Sequence, residues 1–224
     1  MRIHTIILSL VFLVFMQPGL ATAKDFPVTA RAFVGGTEAD LDDLNQEMTA
    51  QSLEEIETVA HMGVEATHSI YKFFEYGFRY TKRFAKKEEL INNIATDYYG
   101  ELSQDSVMLL ARVPVIKTNI FRFDLFGGVG GTNTTFKIKS ASQDGEISKK
   151  EAGDWFAEPI TSFGGSFAVG YKKLYLVVEG GVESNKIDGF KRTGNINTNI
   201  NEIDLSGAYF TVGLLFDGLS GSRK

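Results

Sequence analysis

Four arginines and four carboxylates are the residues of this sequence best placed to do chemistry. Arg31, Arg79, Arg112 and Arg122, with Glu65, Glu75, Asp124 and Glu179, each fall at alternate positions of short segments that otherwise alternate between apolar and small residues. Successive side chains of a strand point to opposite faces, so all eight ionic groups share a face with Gly, Ser and Thr. An isolated charge taken out of water is costly, so groups of this kind must pair. One such pair is expected between Arg112 and Asp124 across neighbouring strands. The chemistry implied is a charge-balanced network filling an interior. Rearrangement of the same pairs would make a narrow ion path, and the small residues Gly164, Ser166, Ala168 and Gly170 leave room for a small ligand.

Other candidates are weaker. His61 shares a face with Glu65, but no Ser nucleophile with suitable spacing accompanies them, so catalysis has little support. Gly127-Gly128-Val129-Gly130-Gly131 lacks both the Lys-Ser/Thr of a P-loop and the G-x-G-x-x-G spacing, and fits close strand approach better. Glu38, Asp40, Asp42, Asp43 and Glu47 form an acidic segment without the order of a Ca²⁺ loop. No metal site and no cofactor are expected. The chain has no Cys, which removes disulfides and thiolate ligands. Its formal net charge of −5 gives no electrostatic reason to bind nucleic acid.

The elements that must position these residues are strands. Eight segments of period two run over 28–35, 60–67, 74–81, 107–115, 121–129, 163–170, 174–182 and 207–216. The third is the clearest: Phe74, Tyr76, Phe78 and Tyr80 alternate with Glu75, Gly77, Arg79 and Thr81. One face is apolar in every segment and carries no charge at its centre. The other is small, polar or ionic. Water on the ionic face would give a soluble barrel that holds an apolar ligand. Lengths of about nine to thirteen residues and the Gly/Ser/Thr-rich opposite face favour lipid on the apolar side. Strands in lipid must close into a barrel, since an open edge leaves backbone groups unpaired. The fold class expected is therefore all-β, an eight-stranded antiparallel up-and-down transmembrane barrel.

Short joins at 69–72, 117–119 and 171–173 alternate with long ones at 36–53, 83–104, 131–158 and 184–204, which places all long loops at one end. Residues 41–56 of the first loop are apolar enough in places for a short helix. Residues 1–23 read as an export signal: Arg2, an apolar run from Ile6 to Met16 too short to span a bilayer, and Ala21-Thr22-Ala23 at the exit. Removing them leaves a barrel over 24–216 and a short tail over 217–224.

On this architecture the chain resembles the small eight-stranded outer-membrane barrels, the class of the outer-membrane protein A membrane domain and outer-membrane proteins X and W. The resemblance implies a bacterial outer-membrane location, extracellular long loops and periplasmic termini. It also implies a last strand ending in an aromatic residue that the barrel-assembly machinery reads. Ala208, Phe210, Val212, Leu214 and Phe216 match that pattern, although the tail after Phe216 departs from it. The partners implied are outer-membrane lipids and lipopolysaccharide, with Lys82, Lys86 and Lys87 as candidate phosphate contacts. The expected function is a structural or surface-interaction role with a charge-plugged lumen and displayed loops. A narrow channel is the alternative. A lipid-modifying enzyme and a soluble periplasmic ligand-binding barrel rank lower.

Overall fold

The computed structural model describes residues 28–218 except 72, 92–93, 150–158 and 199, with backbone alone at 71, 89–91 and 94–96. The expected export signal lies outside the described residues, as do most of the tail and the side chain of Tyr71. Eight strands form the wall: β1 (Val28–Thr37), β2 (Val59–Tyr71), β3 (Phe74–Ile91), β4 (Ile94–Lys117), β5 (Phe121–Lys139), β7 (Ile160–Tyr171), β8 (Leu174–Ser184) and β12 (Gly207–Asp217). Four short strands, β6 (Asp144–Lys149), β9 (Lys186–Asp188), β10 (Lys191–Asn195) and β11 (Glu202–Asp204), and one helix, α1 (Asp42–Ala50), lie in the long connections.

Each wall strand pairs antiparallel with its sequence neighbour in the wall, and β1 pairs with β12 from Thr29↔Asp217 to Thr37↔Tyr209 to close the cylinder. Following hydrogen-bonded partners from Val59 through Thr37, Tyr209, Gly181, Gly164, Phe126, Arg112 and Glu75 returns to β2 at Ser69, ten residues along the same strand. In an eight-stranded wall that stagger fixes a strand tilt of about 40° and a backbone radius of about 8 Å. The bore is thus narrow enough for side chains to fill. Pro114, which has no N–H to offer a neighbour, sits at the register shift between β4 and β5. At the short-turn end the Tyr175 hydroxyl donates to the carbonyls of Thr118 and Lys172, both at 3.2 Å, and pins two adjacent turns together.

The outer surface is apolar. Leu109 is 51% exposed, Leu176 57% and Phe163 63%, whereas Arg112 is fully buried and Glu179 is 1% exposed. Because of the tilt, each step along a hydrogen-bonded row climbs about 3 Å along the barrel axis. On that scale the outward apolar side chains, from Tyr171 at one rim to Val107 at the other, fill a belt about 25 Å tall, the height of a bilayer's apolar band. Phe216 stands toward the short-turn rim, while Tyr80, Phe163 and Phe210 stand toward the other.

Above the belt the faces exchange character. Along β4 the outward residues run Val115, Val113, Ala111, Leu109, Val107, then Asp105, Ser103 and Glu101. The inward ones run Arg112, Leu110, Met108, Ser106, Gln104 and then Leu102, which is fully buried. On β5 the inward sequence from Arg122 and Asp124 ends in buried Phe136 and Ile138. This apolar end joins Leu44 and Met48 of α1, Ile147 of β6, Ile187 of β9 and Ile203 of β11 in one core. The long-loop end is therefore a folded head with its oily side inward, standing on a barrel with its oily side outward.

Two expectations are corrected here. Segment 83–104, expected as a loop, is the continuing β3–β4 hairpin, paired from Arg83↔Gln104 to Ile91↔Ile94. Segment 131–158 likewise contains the end of β5 and all of β6. Period two persists through both, but its polarity reverses, so a search for one apolar parity stops at the belt. The helix expected within 41–56 is α1. Leu44 and Met48, four residues apart, form its buried face. The Asn45 side chain accepts from the Ile56 N–H at 2.8 Å and donates to its carbonyl at 3.1 Å. Met48 closes down on Gly100, where a Cβ would lie 2.8 Å from its Cε.

Placing arginine at Leu125, an outward residue in mid-belt, is predicted to cost about 2–4 kcal/mol, and the same change at Ser103, above the belt on the outer face, about 0–1 kcal/mol. Reversible urea unfolding in lipid vesicles measures both.

Candidate functional site: the charge network of the lumen

All eight ionic residues singled out from the sequence are buried inside the barrel. They form connected tiers. In the middle, Arg112 binds Glu65 through Nε at 2.5 Å and Nη2 at 2.8 Å, and reaches Glu179 at 2.8 Å. Arg79 binds the same two carboxylates at 2.7 and 2.6 Å, and Arg31 joins Glu179 at 2.5 Å. Two carboxylates are thereby held by three guanidinium groups, with Arg31 also 3.6 Å from Asp124. Aromatic faces complete the cage: Arg79 lies 5.0 Å from the centroid of Phe33 and 5.2 Å from that of Phe126, and Arg112 lies 4.6 Å from Phe126.

Toward the short turns, Arg122 binds Asp124 at 2.7 Å and Glu75 at 2.8 Å. Thr67 and Ser69 donate to Glu75 at 3.1 and 3.3 Å. Lys117, a third exposed, reaches Asp217 at 2.9 Å and Glu75 at 3.8 Å. Toward the head, Arg83 binds Glu183 at 2.6 Å and donates to Gln104 at 2.9 Å. Asn185 donates to both Gln104 and Glu183, at 2.9 and 3.0 Å. The apolar core of the head begins directly above. Among the described residues, six cationic side chains (Arg31, Arg79, Arg83, Arg112, Lys117, Arg122) meet six anionic ones (Glu65, Glu75, Asp124, Glu179, Glu183, Asp217), so the lumen is neutral.

The expected Arg112–Asp124 pair is not formed. Asp124 stands opposite Pro114, and Arg112 opposite Phe126. Arg112 turns instead to Glu65 on β2 and Glu179 on β8, two and three strands away around the wall, and Asp124 takes Arg122 of its own strand. In a bore of this radius the long side chains of non-adjacent strands meet as readily as those of neighbouring ones. Arg83, Gln104, Glu183 and Asn185 were missed because they lie in or beside segments assigned to loops. Their inward parity, continuous with Arg79 and Glu179, was the available signal. His61 is buried, with Nδ1 3.1 Å from the Thr37 hydroxyl, and Glu65 is committed to Arg79 and Arg112 rather than to it. Among the described residues, no group of three or more His, Asp or Glu side chains could hold a metal ion.

The candidate lipopolysaccharide lysines do not share a surface. Lys82 is half-buried on the outer face beside its register partner Asp105, whose carboxylate also accepts from the Tyr80 hydroxyl at 2.6 Å. Lys86 is on the same face farther up, paired with Glu88 at 2.5 Å and 5.1 Å from the Tyr99 ring centroid. Lys87 has the opposite parity and pairs with Glu54 at 3.6 Å.

In the head, Glu47 of α1 accepts from Gln143 and Thr198, each at 2.9 Å, and ties the helix to two other loops. Asp204 accepts from the Ser206 N–H at 2.8 Å and pairs with Lys186 at 2.9 Å. Burial alone would raise the Asp204 carboxyl, but the Ser206 bonds and Lys186 outweigh it and hold it below the usual range.

No protein-family model matches this chain, and no curated protein matches it significantly. Solved structures resemble it only distantly. Ail, the attachment invasion locus protein of Yersinia pestis, in complex with the heparin analogue sucrose octasulfate, superposes with a TM-score of 0.48 at 8% identity, covering 85% of this chain and 97% of that one. Neisserial surface protein A superposes with a TM-score of 0.46 at 11% identity, covering 86% and 96%.

Glu65→Gln is predicted to cost about 3–5 kcal/mol, because it leaves Arg79 and Arg112 buried and under-compensated, while Lys117→Ala costs about 1 kcal/mol or less at its partly exposed position. Chemical unfolding of both variants checks the ranking. Asp204, with its lowered value, stabilises the β9–β11 pair above the unfolded carboxyl's range, and that contribution is lost as pH falls through the folded value. Protection of the amides in 186–188 and 202–204, taken relative to their intrinsic exchange rate at each pH, should therefore fall at acid pH, and Asp204→Asn should abolish that pH dependence of protection. From its own wall, register and surface, the chain is an eight-stranded antiparallel up-and-down β-barrel with the architecture of the small outer-membrane barrels.

Proposed function

We propose that this protein is an integral outer-membrane barrel with a structural or surface-interaction role: a sealed pedestal that holds a folded head outside the cell. The observation that carries this reading is the continuity of the filling. Paired charges occupy the bore from Lys117 and Asp217 to Arg83 and Glu183, and the apolar core of the head covers the mouth above them. A solute path would have to break both layers. In this reading the head is the working part and the barrel its anchor. It involves no catalytic step.

The same reading orients the molecule. Short turns and both termini face the periplasm, and the head faces outward, as is usual for such barrels. Residues 1–23 direct export and are removed. Phe216 with Leu214, Val212, Phe210 and Ala208, all outward on β12, present the strand that the assembly machinery recognises. Lys82 at the upper margin of the belt, and Lys86 above it, contact lipopolysaccharide phosphates by charge-assisted bonds. Lys87, turned toward the head and paired with Glu54, is not part of that contact.

Two measurements test this. Unboiled protein from the outer-membrane fraction should migrate differently from boiled protein on SDS gels. In planar bilayers the wild type should show no discrete conductance, and Arg112→Ala none either, since the head still covers the mouth. Conductance steps in the wild type that Arg112→Ala alters would replace the sealed barrel with a narrow channel.

A further inference from the structure

The turn between β7 and β8 holds two lysines at the lower margin of the belt. Tyr171, Lys172, Lys173 and Leu174 are all exposed, Tyr171 to 70%. Lys172 has φ +61°, a left-handed conformation that favours glycine. Among the described residues, Ser52 alone shares that trait without being glycine. Both lysine carbonyls are braced. That of Lys172 accepts from the Tyr175 hydroxyl at 3.2 Å, and that of Lys173 from the Asp217 N–H at 2.8 Å. A conformation unusual for lysine is thus held in place, and it presents two adjacent ammonium groups. The Lys172 Nζ lies 5.1 Å from the centroid of the outward Tyr171 ring, on the lipid side of the wall. Neither lysine forms an ion pair with a described residue, because the Asp217 carboxylate is turned to Lys117 at 2.9 Å and to the Thr29 hydroxyl at 3.3 Å. The β4–β5 turn differs on this point, since its Lys117 is paired.

We infer that this turn is a recognition site for an anionic phospholipid of the surrounding leaflet. The lipid phosphate meets Lys172 and Lys173, and its acyl chains run along the outward row of Tyr171, Leu174 and Phe216. The inference rests on the orientation proposed above, which sets this rim in the periplasmic leaflet, at the opposite margin of the belt from Lys82 and Lys86. Basic side chains beside a membrane surface favour anionic lipid by roughly fivefold each. The formal net charge of −5 works against an anionic lipid, so a preference for one has to come from a local site. This turn joins uncompensated positive charge, a braced backbone and an apolar row directly above.

Native mass spectrometry of the protein extracted from membranes in detergent, given equal amounts of phosphatidylglycerol and phosphatidylethanolamine with identical chains, tests this. Phosphatidylglycerol adducts should predominate at least about fivefold in the wild type, the contribution of one such lysine. Lys172→Gly combined with Lys173→Gln suits the backbone of the turn and removes both charges. It should bring the ratio near one while adducts persist. Lys137→Gln combined with Lys139→Gln removes the same charge from the head and should leave the ratio unchanged. Equal retention of the two lipids by the wild type would overturn the inference. So would an unchanged ratio in the turn variant, or an equal fall in the head variant. Heat-modifiable migration reports the barrel separately. Absent selectivity with an intact shift counts against the turn alone, whereas an absent shift in the wild type removes the membrane reading and the inference with it.

Discussion

A strand edge cannot be left open in hydrocarbon. Every backbone N–H and C=O within the belt needs a partner from another strand, because lipid has none to offer. The pairing of β1 with β12 meets that demand, and much else follows from it. Closure with eight strands and a ten-residue stagger sets the tilt, the tilt sets the height of the belt, and the radius sets how much room is left inside. The bore that results is narrow enough for side chains to fill, and its inner face is polar.

The lumen's chemistry is a response to that confinement. Each arginine inside would be costly alone, and each is held by two or more acceptors or by an aromatic face. Glu65 and Glu179, reached from three strands, tie β1, β2, β3, β4 and β8 together through the bore. The backbone ladders hold neighbouring strands; the Arg79–Glu65 pair adds to one of them, while Arg79–Glu179 and Arg112–Glu179 link strands that are not neighbours. Buried ion pairs are weak evidence of net stability. Their geometric role is clearer here: they fix which side chains fill the bore. At the head the same wall continues without lipid around it, and the ordinary rule of soluble proteins returns. Leu102, Phe136 and Ile138 turn inward to meet α1, while Glu101, Lys137 and Lys139 face out.

The strand count, the wall order, the inward parity of the eight ionic residues and the short helix in the first connection could all be read from the sequence. Period two is a local property, and strands such as Phe74–Thr81 carry it plainly. The pairing of charges could not be read in the same way. Arg112 meets Glu179 rather than Asp124 because of stagger and radius, which depend on the register of all eight strands together. The head was missed for a different reason. Ala85, Leu102 and Phe136 continue the alternation of the strands below them, but with apolar groups on the face that carries charge in the barrel. The acidic run from Glu38 to Glu47 reads as solvated loop, yet Asn45 and Glu47 within it anchor the helix.

One continuous wall changes its solvent, lipid outside the belt and protein core inside the head. The natural chain has no Cys, so single cysteines along β4 report it directly. In vesicles, nitroxide labels at 107, 109, 111 and 113 should be broadened by oxygen dissolved in the bilayer, and those at 101, 103 and 105 by a water-soluble nickel chelate. Labels at 107–113 reached by the chelate and shielded from oxygen would place water on that face and contradict the account.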